Sequence, residues 1–87
     1  MNGDSRLLRG VHLRSLGRHE EAEGFFREAI SQDANDPEPY AELALSLIQM
    51  EGRKTEALSV IDAAVGLDPE DDSYHAVRSL VLSHLDR

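Results

Sequence analysis

The 87-residue sequence contains no cysteine and no tryptophan. Without cysteine the chain can form neither disulfides nor thiolate metal sites, and its redox compartment stays undetermined. No apolar run approaches the ~18 residues that a membrane span requires, and Met1 to Gly10 lacks the apolar centre of a signal peptide. We therefore expect no membrane span. The location is otherwise unknown, and if the chain is complete these features favour the cytoplasm.

Positive charge is scarce and unevenly placed in a chain of net charge −8. Residues 1–18 carry four arginines against a single aspartate, whereas residues 19–87 carry five basic and sixteen acidic residues. Because nucleic-acid binding requires a basic face, we expect no nucleic-acid partner. The simplest interpretation of the asymmetry is a set of solvated faces. The alternative is a basic end that meets something acidic, such as a second copy of this chain.

Residue types that support catalysis or bind metals are present, but they form no recognisable motif. The four histidines lack the i, i+4 spacing of a helical zinc site, and no nucleophile or phosphate-binding motif occurs. The pair Glu20-Glu21 falls in the first turn of a predicted helix, where carboxylates interact favourably with the helix dipole. We expect no catalytic residue, no metal and no cofactor, and hence no enzyme.

Helical periodicity extends along the whole chain, and only three prolines and six glycines interrupt it. Gly17 and Gly52 follow apolar helical stretches and are expected to adopt positive φ at helix C-termini. The dipeptide Asp36-Pro37 predicts an N-cap followed by the first helical residue. The resulting prediction is five helices joined by short connections, near residues 5–16, 19–33, 37–51, 54–67 and 71–86.

The second helical pair repeats the first, and a repeat of this length is typical of stacked-repeat architectures. The second helices repeat at a shift of 35, but the first helices repeat at a shift of 34. One extra residue must therefore lie within residues 48–51, and we predict a longer first helix or a wider turn there. In the second helix of each pair, the residues that recur are Gly17, Arg18, Ala22, Phe26, Ala29 and Asp33, which match Gly52, Arg53, Ala57, Ile61, Ala64 and Asp68 in that order. In the first helix of each pair, Gly10 and Leu13 match Ala44 and Leu47.

These residues resemble the tetratricopeptide repeat (TPR) family, in which small residues let two helices cross closely while large residues fill the space beside them. The second unit carries the pattern in Tyr40, Leu43, Ala44, Leu47, Gly52, Ala57, Ile61, Ala64, Asp68 and Pro69, and the first in Gly10, Leu13, Gly17, Ala22, Phe26 and Ala29. The first unit departs from the family pattern at Arg6, Arg9 and Ala34. Polar replacements in a terminal repeat are typical of a cap.

The resemblance implies an all-α fold, an α-solenoid of antiparallel helix pairs with about two and a half TPR units in five helices. We expect a single TPR domain over residues 1–87, with units at 3–36 and 37–70. Residues 71–87 then form a capping or truncated helix. Arg78 occupies a repeat position at which the other two units have a small residue, and this favours a cap. The apolar set Val77, Leu80, Val81, Leu82 and Leu85 favours a fragment of a longer array, and we slightly prefer that interpretation. Pairing with a second copy, as a homodimer, is a third interpretation.

In this family the first helix of each pair lines a concave face that holds peptides. Chaperone-binding members grip a C-terminal carboxylate there, but the corresponding slots hold Leu7, Val11, Ala41, Leu45, His75 and Ser79, so we expect no carboxylate clamp. The resemblance implies a non-enzymatic scaffold for a partner protein or peptide. The alternatives are a self-association unit acting through its helical ends and burial of the apolar residues between helices. The expected partner-binding residues are Val11, Arg14, Leu45, Ile48, Gln49, His75 and Leu82.

Overall fold

Five helices make up the computed structural model, which describes the backbone of residues 3–86 and the side chains of residues 5–86. They are α1 (Gly3–Ser15), α2 (His19–Gln32), α3 (Pro37–Leu47), α4 (Lys54–Leu67) and α5 (Asp72–Leu85). No strand occurs among the described residues, and the all-α prediction is confirmed. The largest difference from the predicted boundaries is in α3, which ends at Leu47 rather than near residue 51.

Helices α3 and α5 begin at aspartates that cap their first turns. The Asp36 carboxylate accepts a hydrogen bond from the backbone N–H of Glu38 at 3.1 Å, and proline follows at the first helical position. The Asp71 carboxylate accepts from the backbone N–H of Ser73 at 2.8 Å and from its hydroxyl at 2.6 Å. Because the first N–H groups of a helix have no partner inside it, these bonds define where each helix starts.

The turns within the two pairs differ, although each contains a glycine with positive φ, 80° at Gly17 and 78° at Gly52. After α1, the N–H of Arg18 bonds the carbonyl of Leu13 and the N–H of Gly17 bonds that of Arg14, both at 2.9 Å, which is a Schellman motif. After α3, successive i to i+3 bonds form instead, and α4 starts only at Lys54. The extra residue therefore widens the turn.

A close helix crossing explains the small residue in the middle of α1. A Cβ added at Gly10 would lie 2.7 Å from Cδ1 and 3.0 Å from Cζ of Phe26 on α2, so that only glycine fits against the ring. The corresponding residues of the second pair are Ala44 and Ile61, both fully buried. A smaller partner side chain there leaves room for a methyl group.

The helices form two layers. Each helix packs on the next one in the chain, and α3 also contacts α1 and α5, so that α1, α3 and α5 lie side by side over α2 and α4. The buried side chains form one apolar cluster from α2 to α5. This arrangement is the predicted α-solenoid of helix pairs. None of the described helices is long and apolar enough to cross a membrane.

Candidate functional site

The four apolar side chains expected on the concave face, which α1, α3 and α5 form, are buried to different degrees. Val11 and Leu45 are half-buried and pack against the core cluster. Leu82 on α5 has 38% of its surface exposed, whereas Ile48 has only 3%. Of these four side chains, Val11, Leu45 and Leu82 are therefore at least partly accessible, whereas Ile48 contributes mainly to packing.

Polar side chains connect the three helices of the concave face. The guanidinium of Arg14 on α1 donates to the Glu42 carboxylate on α3, with Nε and Nη2 at 3.0 and 2.8 Å from Oε1. One turn earlier on α3, the Glu38 carboxylate accepts a hydrogen bond from the Tyr74 hydroxyl of α5 at 3.0 Å. The single guanidinium expected on this face is therefore already paired inside the molecule.

The environment of Glu42 opposes its ionisation in spite of this pairing. Burial is the largest influence and raises the pKa of the carboxyl above its ordinary value; Arg14 lowers it, and the neighbouring Glu38 adds to the increase. Burial also raises the pKa of Tyr74, as does its bond to Glu38. The concave face thus has two carboxylates whose partners lie within the protein.

The remaining expected residues, Gln49 and His75, are exposed. Nε2 of His75 lies 2.6 Å from the carbonyl oxygen of Pro69, and because a carbonyl only accepts, this nitrogen donates. Gln49 lies in the wide turn after α3, together with Met50 and Glu51. Two surface cavities of about 510 and 600 Å³ flank that turn, and these three residues line both of them.

On the opposite face, α2 and α4 are joined by a ring of four charged side chains. Arg53 donates to Glu23 at 2.7 Å and to Glu56 at 2.8 Å, and Arg27 donates to the same two carboxylates at 2.8 and 2.6 Å. Hydrogen bonding to Arg53 is the main cause of the lowered pKa of both glutamates. Each charge in this ring has its counter-charge, and the resulting ion pairs link the first helical pair to the second.

An apolar groove at the end of the array next to α1 is not among the surfaces expected from the sequence. Leu8 is 68% exposed and lies near Leu13 and the half-buried Phe25, around a cavity of about 440 Å³. The sequence contains a signal for it. Consecutive leucines at 7 and 8 and consecutive phenylalanines at 25 and 26 cannot both point into one core, since neighbouring helical residues are about 100° apart.

Comparison with known families agrees with this architecture. The family model described as Tetratricopeptide repeat matches residues 13–81, which is most of the chain. A comparison with curated proteins finds no match. The matched family is generally a non-enzymatic scaffold for protein–protein interaction. From its helix pairs and from this match, the chain belongs to the tetratricopeptide repeat family.

Proposed function

We propose that this protein is a non-enzymatic scaffold that binds an apolar peptide or helix of a partner protein on its concave face. The observation that supports the proposal is that each of the three helices has a partly accessible apolar side chain, Val11, Leu45 and Leu82, which we infer to form one line. An amphipathic helix or extended peptide binds such a line through spaced apolar anchors. We infer that Arg14, Gln49 and His75 lie beside the bound partner and that the buried Ile48 supports this surface from beneath.

The charges on this face favour an apolar partner over an acidic one. Arg14 is held by Glu42, so capturing a partner carboxylate there would require breaking an ion pair that is half-buried. Glu38 adds a second negative charge on the same helix. The positions that bind a C-terminal carboxylate in chaperone-binding members of the family hold no lysine or arginine here. The binding energy must therefore come chiefly from burying apolar side chains.

Peptide selection followed by mutation tests this proposal. A phage-displayed library of random dodecapeptides is selected on the protein, and the enriched peptide is titrated by fluorescence anisotropy. Leu82→Glu should weaken binding at least about tenfold, because it places a charge among the apolar anchors. Leu45→Glu should abolish binding while leaving the helical circular dichroism intact.

Leu16→Glu provides the matched control, since Leu16 is an exposed leucine at the α1–α2 turn, away from the concave face. It should leave the affinity within about twofold of the unmodified protein. The proposal would be overturned if the Leu45→Glu and Leu82→Glu variants bound the peptide as tightly as the unmodified protein does. It would also be overturned if the selection enriched no peptide.

Self-association through the helical ends is a second candidate function. The observation that favours it is the exposure of large apolar side chains on the first and last described helices, Leu8 on α1 at 68% and Leu80 on α5 at 43%. This candidate uses different residues from the concave face, so one protein could have both functions.

A further inference from the structure

We propose that the partner segment bound on the concave face is a cationic amphipathic helix, whose lysine or arginine side chains pair with carboxylates at the N-terminal ends of α3 and α5. The inference rests on the proposed function and deepens it, because it states the chemistry of the partner. The carboxylates are those of Asp36, Glu38 and Asp71, which we call the acidic edge. The apolar contact beside them is Leu45.

The acidic edge surrounds one buried hydroxyl, that of Tyr74. This residue on α5 is 6% exposed, and its hydroxyl donates to Oε1 of Glu38 on α3 at 3.0 Å. Burial and this bond raise the pKa of the hydroxyl, and the negative charges of Glu38, Asp71 and Asp36 add to the increase. Asp36 and Asp71 are the N-caps of α3 and α5. The two neighbouring helix ends therefore share a single negatively charged surface.

The acidic edge lacks a counter-charge within the described part of the chain. The ion pairs among residues 5–86 all involve other acids, and hydrogen bonds from Ser73 lower the pKa of Asp71, which keeps it ionised. The guanidinium of Arg14 on the same face is bonded to Glu42. No three acidic or imidazole side chains of the described residues are placed to hold a metal ion. A cationic side chain of a partner is the counter-charge that fits.

The acidic edge is continuous with the apolar surface. Glu38, Glu42 and Leu45 fall on one stripe of α3, because they are spaced four and three residues apart. At the rise of an α-helix, Glu38 and Leu45 are about 10 Å apart along the axis, which is close to the width of one helix with its side chains. A single helix lying across α3 can therefore cover Leu45 with apolar side chains and reach Glu38 with a cation.

Desolvation makes a cation necessary as well as possible. Leu45, Glu38 and Asp36 are all half-buried before a partner binds. A partner helix that covers Leu45 removes further water from the carboxylates beside it, and burying a charge without a counter-charge is costly. An acidic partner would add repulsion to that cost. A lysine or arginine beside the apolar anchors offsets it.

Three matched helical peptides of about 16 residues test this chemistry. They share one stripe of leucines, and the positions that flank the stripe hold lysine in the first peptide, glutamine in the second and glutamate in the third. Fluorescence anisotropy at about 0.05 M salt measures the affinities. The lysine peptide should bind about tenfold more tightly than the glutamine peptide, and the glutamate peptide should bind most weakly. At about 0.5 M salt the difference between lysine and glutamine should fall below about twofold.

Variants that remove charge locate the attraction on the protein. Glu38→Gln with Asp71→Asn removes two negative charges, while the amide oxygens can still accept the bonds that hold the Tyr74 hydroxyl and cap α5. This double variant should bind the lysine and glutamine peptides equally, within about twofold. The matched control is Glu20→Gln with Glu28→Gln, which changes two exposed acids of α2. The control has the same net charge and should keep the tenfold preference for lysine.

Several outcomes would overturn the inference and leave the proposed function standing. The unmodified protein could bind the lysine and glutamine peptides equally, or the Glu38 and Asp71 double variant could keep the preference for lysine. Loss of the preference in the control as well would assign the attraction to the net charge of the chain. Failure of all three peptides to bind would also overturn the inference. The phage selection, which imposes no peptide sequence, then decides separately whether the proposed function fails. Circular dichroism of both double variants checks that the helices are intact.

Discussion

The two helical pairs share one register, yet equivalent side chains have very different surroundings. On α3, Leu43 and Ser46 are buried, and on α1 their equivalents Arg9 and His12 are exposed. Helix α3 contacts α1, α2, α4 and α5, whereas α1 contacts only α2 and α3 among the described helices. The repeat therefore determines which way each side chain points. The number of neighbouring helices determines whether it is buried.

The largest expected effect that tests this comparison is the truncation of an equivalent leucine in each pair. Leu47 is fully buried on α3, and Leu13 is half-buried on α1. Leu47→Ala should lower the free energy of unfolding by about 3 kcal/mol and Leu13→Ala by about half as much, because less contact is lost. Urea denaturation followed by circular dichroism measures both. Equal losses would show that the end unit is packed as tightly as the central one.

A smaller effect is expected at the helix crossing, where the first pair uses Gly10 with Phe26 and the second uses Ala44 with Ile61. Gly10→Ala should cost about 1–3 kcal/mol of unfolding free energy because the added methyl overlaps the ring. In the variant Phe26→Ile the same methyl has room, as in the second pair.

A double-mutant cycle measures this coupling. Gly10→Ala with Phe26→Ile should be less destabilised than the sum of the two single variants by about 1 kcal/mol. If the losses of unfolding free energy in the two single variants add exactly, the requirement for a small residue on α1 does not depend on the size of the side chain that it faces.

The smallest expected effect comes from making the two turns alike. Deletion of Glu51 restores a shift of 34 across the second turn and should change the free energy of unfolding by less than about 1 kcal/mol, because the residue is exposed. We expect α3 to lengthen beyond Leu47 and the amides of Gly52 and Arg53 to become protected, as in a Schellman motif. Hydrogen exchange followed by NMR measures that protection.

Deletion of Gly52 is the matched control for the turn. It shortens the connection equally but removes the residue with positive φ, so it should destabilise more than deletion of Glu51. If both deletions cost the same and α3 still ends at Leu47, the extra residue is not the cause of the wider turn.

Much of the fold could be predicted because the interactions responsible are local. The N-cap at Asp36 bonds a residue two positions away, and the positive φ of Gly17 depends on the turn in which it lies. The mismatch between shifts of 34 and 35 is visible in the residue types alone, and it places the irregular turn after Leu47. It leaves two outcomes open, a longer helix or a wider turn, and the protein has the wider turn.

The surroundings of the candidate site could not be predicted because they depend on residues far apart in the sequence. Arg14 bonds Glu42, 28 positions later, and Tyr74 bonds Glu38, 36 positions earlier. No pattern in the sequence pairs these side chains. The groove beside Leu8 likewise exists only because no described helix covers that side of α1.

The number of helices, the register of the repeat, the positions of caps and turns and the family all follow from residue types at short or regular spacing, and the chain specifies them without reference to its packing. Packing in three dimensions is what buries Ile48 while leaving Leu82 exposed, pairs Arg14 with Glu42, and leaves Leu8 and Leu80 accessible. The physical reason is that exposure and ion pairing depend on which helices are neighbours in space. Periodicity alone gives the direction of a side chain, not what it meets there.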